Sequence, residues 1–258
     1  MTEFEAKLRS LAHTLGRYRA RTRYPFADLF AHAYLRDVVE FSRATARLAK
    51  SAAPRTAYAA ARVAFEAAQD LAYLCSVPQE SEARAALAYA IELVELEDLQ
   101  QRFLRADVAA GYKKQRLRLA KTPEDVITAD AADYDRRIPG KGDFLKAALA
   151  EARKPRRARK HWSGLSRKEV GRQVAEEHPD IRIIYEVGDN FYGYLSVNTH
   201  PRLRWAFEPR SLAGNNAIVV ATREVDRALP LDLALAAMTL AVAALTWIGR
   251  RVPRYDAA

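Results

Sequence analysis

Apolar residues recur at three- and four-residue spacing through most of the chain, the period of helices that bury one side. The pattern predicts a helix over Phe4–Arg21, ended by Pro25, and a long helix over Phe26–Lys50. A third opens at Pro54, where proline suits the first turn, and runs to about Ser76 before Pro78 stops it. Glu80 to about Leu119 reads as one long helix or two, with a bend expected at Gly111, the only breaker inside it. Thr122, Pro123 and Asp125 form a helix start, since threonine caps, proline has no amide to satisfy and the acid faces free amides. That helix should end near Arg137, and Ile138–Gly142 is a loop.

Downstream, Phe144–Arg159 is helical with a basic tail, and Ser166 with Glu169 makes a capping box for a short helix ended by His178 and Pro179. Ile181–Asn198 is the next helix, Thr199–Asn215 a connection, and Asn216–Ala228 and Pro230–Arg251 two closing helices. Ile218–Ala221 alone has strand character, with no evident partner. The expected fold class is an all-α helical bundle forming a single domain over residues 1–258.

Composition narrows the class. Half the residues are hydrophobic and 29% are charged, which excludes a disordered or fibrous chain. The one cysteine, Cys75, sits in an apolar stretch, so no intrachain disulfide forms and a reducing, cytoplasmic compartment is expected. The amino terminus carries Glu3 and Glu5 ahead of Lys7 and Arg9, unlike an export signal. Leu229–Ile248 is the one membrane suspect; its uncharged part, Leu233–Ile248, falls short of the roughly 20 residues needed to span and is alanine-rich, which favours a buried closing helix.

A formal charge of +10 favours polyanionic partners. Six of the eight residues from Arg153 to Lys160 are basic: Arg153, Lys154, Arg156, Arg157, Arg159 and Lys160, followed by His161 and Trp162. Basic residues with adjacent aromatics suit nucleic acid, RNA included, and Lys113, Lys114, Arg116, Arg118 and Lys121 form a second cluster. The competing reading is a solvated charged segment.

Several chemistries lack their residues. The five histidines form no pair at helical ligand spacing, so neither a metal nor another cofactor is expected. No glycine-rich phosphate loop or nucleophile elbow is present, which argues against nucleotide hydrolases, dehydrogenases and esterases. Asp28, His32 and Arg36 share a helix face and read most simply as a surface charge ladder.

Two patterns remain. Arg62 and Glu66 lie four apart on the third helix, so their side chains can meet at the edge of the core, either as part of a site or as a surface ion pair. On the Ile181–Asn198 helix, Tyr185, Asp189, Tyr192, Ser196 and, at its end, His200 line a polar stripe beside the apolar one. With Trp162 they are candidates for lining a pocket; the alternative is a half-exposed face with aromatic edges.

Arg62-Val-Ala-Phe-Glu66, His161-Trp-Ser-Gly-Leu-Ser166 leading into Arg167-Lys-Glu-Val, Tyr185, and Tyr194-Leu-Ser-Val-Asn-Thr-His200 together resemble the bacterial domain-of-unknown-function 5677 family over about residues 55–205. That family is similar in general pattern to HEPN domains, helical bundles that often act as ribonucleases in toxin–antitoxin and phage-defence systems. The resemblance implies a HEPN-like core with extra helices at both ends, metal-independent RNA cleavage, a homodimer, and an antitoxin or defence component as protein partner. His200 would handle the proton, Arg62 would stabilise the phosphoryl transition state, and Glu66 and Ser196 would complete the site. HEPN nucleases place an arginine shortly before the histidine; Tyr194 and Ser196 stand in that region here. Two other readings stay open: a non-catalytic module binding nucleic acid or protein, with the four residues as a polar network, and a membrane-associated protein anchored by residues 229–248.

Overall fold

The computed structural model describes residues 2–20, 25–51, 55–105, 122–137, 142–154, 161–186, 210–213, 217–220 and 227–253. The protein is all-α, with one short β-hairpin among the described residues. Its helices are α1 (Glu3–Arg17), α2 (Pro25–Ala49), α3 (Arg55–Cys75), α4 (Ser81–Arg105), α5 (Pro123–Arg137), α6 (Gly142–Ala152), α7 (Arg167–Glu177) and α8 (Ala228–Trp247). The chain sorts into two compact units, Met1–Arg19 with Ala31–Pro78 and Val170–Ala258, and Ala20–Phe30 with Gln79–Glu169.

In the first unit α8 packs along α3 and against α1. The facing surfaces are rich in alanine, which lets helices approach closely. Ala61, Ala64, Phe65, Ala68, Leu71 and Ala72 of α3 are fully buried, as are Leu233, Ala237, Met238, Leu240, Ala241 and Ala244 of α8. By length and composition α8 could cross a membrane, with a mean hydropathy of 2.0, yet half of its most apolar window is buried within the protein. The end of α8 is a full glycine-terminated stop. Gly249 takes φ +72°, its amide donates to Thr246 O (2.9 Å), and the Arg250 amide donates to Leu245 O (2.8 Å).

Near the end of α7, His178 lies face to face with Trp247, ring centroids 3.6 Å apart, and its Nε2 bonds the Ser76 carbonyl at 2.9 Å. A carbonyl only accepts, so Nε2 carries the proton.

The second unit is built on α4, α5 and α6, each packed on the other two. Ile91, Ile127, Tyr134 and Leu145 fill its centre, with alanines at 86, 90, 131, 148 and 152. Glu82, in the first turn of α4, accepts the amides of Phe26 (3.1 Å) and Ala27 (2.8 Å) at the start of α2, and the Tyr134 hydroxyl (2.7 Å). It thereby satisfies two of the free donors that a helix start exposes. Burial pushes this carboxyl above the ordinary glutamate range; the two amides and the tyrosine pull it down, and nearby Asp28 adds to the rise. Asp28 is itself fully buried, so it does not head an exposed charge ladder.

Both expected capping signals are formed. Asp125 N bonds Thr122 Oγ1 (3.2 Å) and Asp125 Oδ2 accepts the Thr122 amide (3.2 Å); Ser166 and Glu169 make the same reciprocal pair. Two boundaries differ from expectation. α6 stops at Ala152, not Arg159, because Pro155 lacks an amide and restricts the residue before it. Where a helix was expected over Asn216–Ala228, Ala217–Val220 is a strand, paired antiparallel with Arg210–Ala213. Its Ile-Val-Val run has the stiff, branched side chains that favour strands, and the register leaves Gly214, Asn215 and Asn216 between the paired segments.

Candidate functional site

Arg62 and Glu66 do meet: Nε lies 3.0 Å from Oε1, and each side chain is about a quarter exposed, at 26% and 27%. The guanidinium is thus reachable by water but already neutralised by its neighbour one turn on. Ser196 and His200, the other members of the expected catalytic set, lie outside the described residues, as do Asp189 and Tyr192. Tyr185 is buried with Ile181, one turn away. Its ring covers Gly171: a Cβ there would come within 2.7 Å of Tyr185 Cδ1, so glycine is what lets this aromatic lie against α7.

Trp162 is half-buried against the core of the second unit and tilted over His161, with centroids 4.7 Å apart. His161 is buried and sits in a tight turn, in which Gly164 adopts φ +82° and returns its amide to His161 O at 2.8 Å. His161 Nδ1 accepts the Ser163 amide at 3.1 Å. These bonds fix the His161-Trp-Ser-Gly-Leu segment as a folded knot leading into the α7 cap.

Of the basic run, Arg153 and Lys154 are described; Arg156, Arg157, Arg159 and Lys160 lie outside. Arg153 is committed within the second unit. Its Nε and Nη2 hold Glu124 of α5 at 3.0 and 2.6 Å, and its Nη1 holds Glu97 of α4. These bonds keep the Glu124 carboxyl below its ordinary range and hold the Arg153 guanidinium above its own. Lys154 pairs with Glu151. Arg153→Ala should therefore lower the stability of this unit by about 1 kcal/mol, since the network is partly exposed, and leave polyanion binding unchanged. Urea unfolding and RNA titration of the same variant check both halves; intact stability with weakened RNA binding would reverse this assignment.

The described residues do form one cationic cavity, in the first unit, where the ends of α1 and α8 meet. Its volume is about 760 Å³, and His13, Thr14, Arg17, Tyr18, Arg250, Arg251, Val252 and Pro253 line it. The α1 side follows from helical spacing: His13 and Arg17 lie four apart on one face, and Thr14 and Tyr18 on the buried face beside it. Thr14 spends its hydroxyl proton on Ser10 O at 2.9 Å. The α8 side follows from the glycine stop, which turns the chain so that Arg250 reaches back to α1. Its guanidinium lies 4.5 Å from the Tyr18 ring centroid, and its Nη2 donates to Arg19 O at 2.8 Å. Stacking and hydrogen bond together fix the plane of this group.

Arg17 and Arg251 are exposed at the cavity rim, and neither has an acidic partner among the described residues. Among the described residues, no acidic side chain lines the cavity. Guanidinium groups at a cavity rim have the chemistry to meet an anion through charge-assisted hydrogen bonds. The sequence pattern did not single it out, because its walls come from chain segments more than 230 residues apart; the available signal was Gly249 closing an apolar helix directly before two arginines.

No family model matches the chain, and neither the curated proteins nor the solved structures compared with it include a match.

Proposed function

We propose that this protein binds nucleic acid, and that the cavity between the ends of α1 and α8 is its anchoring point. The observation that carries the reading is the pair of exposed arginines, Arg17 and Arg251, at a cavity lined by no acidic side chain among the described residues. Elsewhere among the described residues arginines are commonly paired, as Arg62, Arg84 and Arg153 are. On a chain of net charge +10, Arg17 and Arg251 are suited to phosphate oxygens, which the planar guanidinium meets with two parallel hydrogen bonds.

The test is fluorescence anisotropy with a labelled single-stranded RNA oligomer, titrated between about 50 and 200 mM salt. Wild-type affinity should fall steeply with salt. The double variant Arg17→Ala/Arg251→Ala should bind about tenfold more weakly and flatten the logarithmic salt slope by about 1.4, corresponding to two lost phosphate contacts at about 0.7 each. Both residues are exposed, so the variant should keep its helical circular dichroism. Equal binding by the two proteins, or no binding by wild type at the lowest salt, would refute the assignment.

A further inference from the structure

We infer that the outer face of α2 is a second nucleic-acid contact in the first unit, a track for the backbone phosphates of a strand held at the cavity; this rests on the nucleic-acid reading above. From Arg36 onward the exposed positions of α2 are Arg36, Glu40, Arg43 and Arg47, continued by Lys50 in the turn after the helix. Their spacing alternates four and three residues, so all five lie on one narrow stripe. The other side of the helix is given to the core, where Leu35, Val38, Val39, Ser42, Thr45 and Ala49 are buried. Arg36 pairs with its neighbour Asp37, Nε to Oδ1 3.5 Å. Arg43, Arg47 and Lys50 form no ion pair among the described residues. Three cations thus stand within about 10 Å of helix length, at about 1.5 Å of rise per residue. Like charges one turn apart repel, and a polyanion laid across them relieves that repulsion.

The stripe has a direction. Tyr18, which lines the cavity, has its ring 5.4 Å from His32, and His32 shares the face of Arg36, four residues on. At the far end, the Glu5 carboxyl is held below its ordinary range chiefly by its bonds to Thr2, with a smaller contribution from Lys50. Lys50 therefore lies toward the start of α1, and the cavity lies at the end of α1. The cations lead away from the cavity along α2. No aromatic ring stands on the stripe to stack a base, and a repeated row of cations matches a repeated row of phosphates, so the contact is independent of sequence. A membrane surface is the poorer match, because a helix lying in a bilayer interface inserts its apolar face, and that of α2 is occupied by the core.

The experiment titrates labelled oligouridine and oligoadenosine with the full chain and with Arg43→Ala/Arg47→Ala/Lys50→Ala. All three positions are exposed and alanine suits a helix, so circular dichroism should be unchanged. The triple variant should bind both RNAs about tenfold more weakly, with a logarithmic salt slope flatter by about 2.1, three phosphate contacts at about 0.7 each. Glu40→Gln, which removes the acid from the stripe, should bind about twofold more tightly, a gain that mere loosening of α2 would not produce. Wild-type affinity and slope in the triple variant overturn the track, as does a loss seen with phosphatidylserine vesicles but not with RNA; if Arg17→Ala/Arg251→Ala is weakened in the same assay, the cavity anchor survives alone. Weakening in the triple variant with none in the cavity variant supports the α2 contact and removes the anchor. A loss confined to one of the two RNAs overturns backbone-only contact. If wild type binds neither RNA, both readings fail.

Discussion

Phe65→Ala should lower the unfolding free energy by about 4 kcal/mol, well inside the range for a deleted core phenylalanine. Phe65 is fully buried on α3, the helix that carries the α8 contact. The size of the loss depends on whether the surroundings can collapse into the space left behind. Here the adjacent positions on the same helix are Ala61, Ala64 and Ala68, all fully buried. Alanine has no side-chain rotamer to swing into a void, so the cavity should persist. Urea denaturation followed by far-ultraviolet circular dichroism measures the change. A loss below about 1 kcal/mol would mean that this part of the α3 surface does not carry the unit, contrary to its packing.

Glu82→Ala should cost about 3 kcal/mol in the second unit. The substitution orphans two backbone amides, of Phe26 and Ala27, and the buried Tyr134 hydroxyl. Unsatisfied buried donors cost about 1–3 kcal/mol each, and entry of water into the vacated space offsets part of the sum. Tyr134→Phe removes only one partner and should cost about 1 kcal/mol. The pH dependence has a definite sign. Burial raises the Glu82 carboxyl above its unfolded value, so its contribution is fullest in acid, below the ordinary glutamate range, and declines as pH rises through the raised value. The stability gap between wild type and Glu82→Ala should therefore narrow from mildly acidic to neutral pH. A gap that widened over that interval would show that hydrogen bonding, not burial, governs this carboxylate.

The two outcomes concern features of unequal legibility. The helices of the described regions follow the apolar spacing, and the caps at Thr122 and Ser166 were readable because each is a local exchange of hydrogen bonds within four residues. Glu82 was not. Its partners lie in α2 and α5, over 50 positions away, and nothing in the α4 sequence marks one first-turn acid as the cap of a different helix. The hairpin was half visible: Ile218, Val219 and Val220 have strand character, but Arg210–Ala213 shows no alternation that would announce it as a partner. Arg153 counted toward a basic run in the sequence, while in the structure Glu97 and Glu124 have already claimed it. Local charge density overstates available charge whenever the neutralising acids arrive from distant segments. The reverse holds at the α1 and α8 ends, where Arg17, Arg250 and Arg251 form no local run across the whole set and gain their meaning only by convergence.

The first unit takes α1 from early in the chain and α8 from more than 200 residues later. On the ribosome, α1 must wait through the synthesis of everything between before its partner helix emerges, and contacts at such separation are slow to close. The second unit's α4, α5 and α6 follow one another closely and can settle first. The cavity between the ends of α1 and α8 is accordingly among the last features to come into being: a nascent chain would carry its arginines scattered until both helices had left the ribosome.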